Sequence, residues 1–194
     1  MGKTSVGERS KSIAKTKFGK PKDPCYRKTL KKLKKIYKKI AQTQKIVKCA
    51  DILKTLDCFP NFIGCFAQDQ LLELEFHDFP CTFLVNLDSY KDSGSHWIAI
   101  GIFEKIIEIF DPLGFKFYNW PNVPCQLLQF LHDQSKHKKL IFSSQLQSLT
   151  STLCTVFCMF YIIKRSVTSL DQIEALFTAK FSDNDSLLYS LLCD

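Results

Sequence analysis

Apolar and polar positions recur on more than one period along this chain, and each period predicts a different element. From Arg27 to Lys45 (RKTLKKLKKIYKKIAQTQK), Leu30, Leu33, Ile36 or Tyr37, and Ile40 recur at helical spacing among lysines. That spacing predicts a cationic helix with one narrow apolar stripe. IVKCADILKTLD, starting at Ile46, is also helix-like, whereas CFPNFIGCF reads as an aromatic loop broken by Pro60 and Gly64. Strand-length apolar runs follow at Cys81–Asp88 and His96–Phe103. KIIEIFDP pairs with the second of them through a tight turn at Glu104 and Lys105. Helical periodicity resumes in PCQLLQFLHDQ, after Pro124, and KLIFSSQ is a short strand. LCTVFCMFYIIKRSV is apolar on nearly every face, so its helix belongs at the centre of a core. SLDQIEALF opens with a helix cap at Ser169 or Asp171, and DNDSLLYSLLCD reads as a C-terminal helix. No internal repeat is visible. Helices mixed with hairpin-linked strands predict an α+β domain.

Composition agrees with one folded body and sets a tail beside it. With 45% hydrophobic residues and 17 Phe among 194 residues, the chain can pack one domain of ordinary size. The net charge of +8 hides an asymmetry: residues 1–48 carry 17 Lys/Arg against 2 acids, and the remainder carries 10 against 17. A basic arm over residues 1–45, disordered to about residue 28 and then helical, is therefore expected before a mildly acidic body over 46–194. The nine cysteines are scattered through apolar runs, and their odd count argues against a secreted disulfide framework. Most of them are expected as small buried side chains in a reducing compartment. No CxxC occurs and no histidines stand at zinc-finger spacing from cysteine pairs, so no structural metal is expected. The longest apolar run, Leu153–Ile163, has 11 residues, too few to cross a bilayer, so no membrane is expected either.

Candidate chemistry changes the picture at four positions. His96, one of four histidines, stands beside Trp97 at the mouth of an apolar strand. A histidine in such a place is commonly structural. Asp111, however, ends the neighbouring strand, and a hairpin turning at residues 104 and 105 puts position 96 roughly opposite position 113. Asp111 and His96 then emerge at one end of the sheet, where a carboxylate can hold the imidazole tautomer and stabilise the imidazolium. Cys154 follows the polar loop QSLTST and opens the apolar helix, where free N–H groups and the helix dipole lower a thiol pKa. Cys158, one turn deeper, reads as packing. Gln147 or Gln145, in the loop before the helix, can offer a side-chain amide to an oxyanion.

The motifs GSHWIAIGIF, IFDPLGF and QSLTSTLCTVFCMF, in that order, resemble those of the adenovirus maturation protease (adenain) family. That family belongs to the cysteine-protease clan that also holds the SUMO and ubiquitin-like proteases. The looser FPNFIGCFAQDQ resembles a Phe-Leu-Gly segment near the family's N-terminus, and the likeness covers about residues 46–194. It implies a mixed β-sheet packed on a buried central helix that bears the nucleophilic cysteine at its N-terminus. It also implies that His96 is the general base, Asp111 its orienting acid, Cys154 the nucleophile and Gln147 the oxyanion donor. The family's spacing between glutamine and cysteine selects Gln147 over Gln145. Two departures stand out. Thr155 follows the nucleophile where the family has glycine, and SKHKKLIFSS lacks the cysteine that the family joins to an activating viral peptide. Cys125 or another thiol would have to substitute for it.

The resemblance further implies a monomeric thiol endopeptidase of the virion and host nucleus that needs no cofactor and cleaves capsid and core precursors near glycine. DNA is its expected activator; a viral peptide would be a second one, but without the matching cysteine that mode is unsupported here. Lys31, Lys32, Lys34, Lys35, Lys38 and Lys39 of the basic arm are the expected contacts to the DNA backbone, salt-dependent and blind to sequence. The same lysines also suit a nuclear-import signal. An isopeptidase acting on ubiquitin-like modifiers, or a DNA-packaging protein with a degenerate protease body, are the competing readings.

Overall fold

The structure, a computed structural model, describes residues 24–43, 47–92, 94–114 and 123–193. The disorder expected at the start of the arm falls, up to residue 23, outside the described residues. Helices α1 (Pro24–Thr43) and α2 (Cys49–Leu56) lead into strand β1 (Phe62–Ala67) and a 3₁₀ helix at Gln68–Glu73. Strands β2 (Cys81–Asn86), β3 (Trp97–Ile102) and β4 (Ile106–Phe110) follow, then α3 (Cys125–Gln134) and β5 (Lys139–Phe142). The chain continues through α4 (Cys154–Arg165), α5 (Leu170–Glu174) and α6 (Phe181–Leu191).

The five strands lie in chain order across one mixed sheet. The central pairs β2–β3 and β3–β4 are antiparallel, and the outer pairs β1–β2 and β4–β5 are parallel. Both faces are covered, which explains why β2 and β3 read as unbroken apolar runs. Phe83, Val85, Ile98 and Ile100 point to the face beneath α3 and the 3₁₀ helix, meeting Leu71, Leu127 and Phe130. Leu84, Trp97 and Ala99 point the other way, into the cluster built on α4. Every α4 residue from Cys154 to Ile163 is buried. At about 1.5–3 kcal/mol for each large apolar side chain, this helix dominates the core.

The far end of α4 is pinned to the sheet by charge. Arg165 donates through Nε and Nη2 to the buried Glu108 at 2.8 and 3.1 Å, and the Tyr161 hydroxyl donates to the same carboxylate at 2.7 Å. Breaking such a buried pair costs about 3–5 kcal/mol, so the helix cannot slide along the sheet cheaply.

Three expectations are corrected. The aromatic segment around Gly64 is a strand: β1 pairs in parallel with β2, with an irregularity at Phe62/Gly64 where Gly64 takes φ 144°. Pro60 and Gly64 masked a short edge strand that carries no alternation of its own. The cationic helix forms, but it is part of the body: Tyr26, Leu33 and Ile40 join the α4 core cluster. The core therefore starts twenty residues before Ile46, because the helix's narrow stripe is complementary to α4 and α2. Finally, two cysteine pairs are disulfide-bonded, Cys25–Cys58 and Cys49–Cys65, with Cα–Cα distances of 6.2 and 6.3 Å. They tie α1 to the end of α2, and α2 to β1, where helix packing brings residues distant in sequence within bonding range. Cys81, Cys154 and Cys158 are the buried free thiols. No helix among the described residues is long and apolar enough to cross a membrane.

Candidate active site

The hairpin register sets the site. Ala99 pairs with Phe110 and Ile102 with Ile107, and the same register carried outward sets His96 opposite Leu113. His96 thus leaves β3 at the sheet end where Asp111 leaves β4, and His96 Nε2 lies 2.8 Å from Asp111 Oδ1. Cys154 lines the same cleft as His96, and the thiol and imidazole act on each other's proton affinity.

Asp111 is held from several directions. Its Oδ1 also accepts from the Leu113 N–H at 2.9 Å. The buried Ser143 hydroxyl accepts from the Asp111 N–H and donates to the Asp111 carbonyl, both at 2.9 Å. The turn after it closes with Gly114 N–H donating to the Asp111 carbonyl at 2.8 Å. Gly114 takes φ +66°, and a Cβ there would stand 2.3 Å from the Gln145 backbone nitrogen. Only glycine allows the backbone at Gln145 to come so near. The Pro112 carbonyl then accepts from the N–H groups of Leu146 and Gln147, each at 2.8 Å, so one turn fixes both the acid and the glutamine loop.

Cys154 is the first residue of α4, among helix N–H groups without intrahelical partners. Burial pushes its thiol pKa up, but the His96 hydrogen bond and charge, the Trp97 backbone N–H and the Thr155 hydroxyl together bring it below the usual thiol range. Burial likewise pulls the His96 imidazole down, while hydrogen bonds and charges of Asp111 and Cys154 outweigh it and raise its pKa to about 9. Both shifts favour the thiolate–imidazolium form. In contrast, burial drives the Cys158 thiol far up, and its Sγ donates to the Trp97 carbonyl at 3.2 Å. One thiol opens onto the cleft; the other packs.

A cleft of about 320 Å³ opens over this end of the sheet. His96, Trp97, Gln147, Cys154 and Thr155 form its floor, with Ile40, Val47, Leu113 and Leu149 as apolar walls. Gln147, not Gln145, lines it. One Gln147 Nε2 hydrogen is donated to the Ser151 carbonyl at 2.8 Å, and the second is left for an acceptor. Gln145 Nε2 instead donates to the Gln147 carbonyl at 3.0 Å. Thr155, where the resembled family has glycine, keeps its hydroxyl 4.0 Å from Cys154 Sγ.

Several positioning residues escaped the sequence reading. Asn184, fully buried on α6, donates to the carbonyls of Leu146 and Thr178 at 2.8 and 2.9 Å. Asp185 accepts from the Ser151 hydroxyl at 3.0 Å, and Glu174 accepts from Ser144 N–H and Oγ at 2.6 and 3.1 Å. The C-terminal helices thereby hold the glutamine loop. DNDSLL showed only a helix start; nothing local announced that its Asn and Asp reach 30 or more residues back.

The six arm lysines divide between two sides of α1. Lys34 and Lys38 lie over the Tyr189 ring, 5.4 and 5.8 Å from its centroid. Lys32, Lys35 and Lys39 border a groove between α1 and α2, and Lys31 is exposed. Cys125, the thiol considered for a peptide activator, is free and exposed at the start of α3. No cluster of metal-ligating side chains occurs among the described residues.

A thiol, an imidazole and a carboxylate thus stand in series at the mouth of one cleft. No protein family matches the chain at the sequence level, and no curated protein does. Solved structures align with part of it. The ASFV pS273R protease aligns over 74% of this chain and 63% of its own, at 18% identity and a TM-score of 0.46. Its selenomethionine form aligns over 77% and 67%, at 17% identity and 0.47. An AvrA deletion variant with IP6 and CoA aligns over 82% and 65%, at 15% identity and 0.39. The chain thus spans about two thirds of the length of each.

Proposed function

We propose that this chain is a cysteine endopeptidase that matures virion precursor proteins, cutting them beside glycine. The observation that carries the reading is the arrangement at Cys154: a helix-terminal thiol lining one cleft with His96, itself 2.8 Å from Asp111. The thiolate attacks the scissile carbonyl. The second Gln147 Nε2 hydrogen and the Cys154 backbone N–H receive the oxyanion. The His96 imidazolium passes its proton to the leaving amine, and Asp111 holds the ring throughout. Water, deprotonated by His96, then releases the acyl group. Trp97 and Thr155 line the cleft with Cys154, and a cleft narrowed by them would favour a residue without a side chain beside the cut bond. DNA belongs to the same proposal, as a sequence-blind contact on the flank of α1 that carries Lys31, Lys34 and Lys38.

The test is cleavage of glycine-containing peptides, with per-cysteine alkylation read by mass spectrometry. Cys154 is expected to alkylate selectively below pH 7, and Cys154→Ala is expected to abolish cleavage. Alkylation of Cys154 no faster than that of Cys125 and Cys193 would sink the reading. Release of a Gly-Gly-linked modifier with no internal cleavage would move the reaction to an isopeptide bond.

A further inference from the structure

A second concavity, of about 380 Å³, lies between α1 and α2. Lys32, Lys35, Lys39 and Lys54 border it, with Asp51 as the acid among its lining residues. Lys32 is partly engaged, donating to the Lys54 carbonyl at 2.6 Å and to Asp57 at 3.3 Å. Lys35, Lys39 and Lys54 are exposed. The groove does not stand alone: Ile40 and Val47 line both it and the catalytic cleft. A chain leaving the cleft over these two side chains enters a row of ammonium groups.

We propose that this groove binds an acidic stretch of the substrate, next to an apolar residue seated on Ile40 and Val47, and so sets which precursors are cut. The inference rests on the endopeptidase reading and adds the substrate class to it. Charge complementarity selects a polyanion. Continuity with the cleft selects a peptide over a nucleic acid, because the segment bound here is covalently attached to the one at Cys154. The interaction is exposed, so it acts through encounter and ground-state binding and fades with salt.

The experiment uses full-length protein carrying Cys154→Ala, so that binding is read without turnover. The probe is a fluorescein-labelled peptide with a run of glutamates beside an apolar residue, and the control replaces each glutamate by glutamine. Lys35→Glu with Lys39→Glu is expected to weaken the glutamate peptide about tenfold and to leave the glutamine peptide unchanged. In protein with Cys154 intact, the same pair is expected to raise KM for an acidic substrate with kcat unaltered. Equal binding of both peptides, or indifference to the double substitution, would overturn the proposal. So would a double variant that loses duplex DNA while holding the glutamate peptide as before, since the groove would then serve nucleic acid. The endopeptidase reading fails separately, through absence of selective Cys154 alkylation, and charge-selective peptide binding in that case would still uphold the groove.

Discussion

At the scale of single residues, the site depends on two groups moving each other's protons. His96 is raised to about 9 against burial, by Asp111 and Cys154. The reactive pair therefore exists between the lowered pKa of the thiol, below which the thiolate takes up a proton, and about 9, where the imidazole gives up its own. Alkylation of Cys154 in the wild type is expected from below pH 7 upward. In His96→Ala the thiol loses its chief stabiliser and its alkylation shifts to alkaline pH, which a pH series read by mass spectrometry would show. An unmoved profile would mean the helix end alone activates Cys154. The His96 shift also links to folding: protonated His96 stabilises the fold fully below its ordinary 6.5, and that contribution disappears through about 9. Gln147→Ala is expected to lower kcat by roughly 10²–10³ with KM little changed, as for a donor used in the transition state. Loss in KM alone would assign Gln147 to ground-state binding. His96, Asp111 and Cys154 were legible because each stands where an apolar run begins or ends. Ser143, Asn184 and Asp185 were not, since a buried polar residue that serves a distant backbone looks, in sequence, like any turn or cap.

At the scale of elements, the turn Asp111–Gly114 does more than reverse the chain. Its backbone carries the acid, and its Pro112 carbonyl carries Leu146 and Gln147. Gly114→Ala puts a Cβ within 2.3 Å of backbone at a positive φ, and the loop must retreat. We expect a loss of about 1–3 kcal/mol in chemical denaturation and a drop in kcat larger than the stability loss explains. Wild-type kcat in a folded Gly114→Ala protein would separate the turn from the site. The β3–β4 hairpin could be read from two apolar runs and a charged turn, down to the pairing register. Strand β1 could not, because a parallel edge strand interrupted by glycine offers neither alternation nor a hairpin turn. The capping box at α5, Ser169 with Gln172, settles the start that sequence left between Ser169 and Asp171.

At the scale of the whole molecule, the basic N-terminal helix is a structural member. Leu33 is fully buried against the α4 cluster, with Ile40 and Tyr26 beside it. Leu33→Ala is expected to cost about 2–5 kcal/mol, and removal of residues 1–43 to leave a protein that does not fold cooperatively. A shortened protein with a sharp thermal transition and an alkylatable Cys154 would contradict this. The lysines concealed the role: composition says solvated arm, and only the narrow stripe hints at a partner, which lies more than a hundred residues further along the chain. The placement of Ile40 in the cleft wall bears on how the protein can change over generations. The row from Tyr26 through Leu33 to Ile40 can be altered only in step with α4, so it is held fast by folding. The lysines beside it meet water and can be exchanged one at a time at little cost. If the groove reads substrate as proposed, preference for a target can drift along the rim of this helix while the packing beneath it is inherited unchanged.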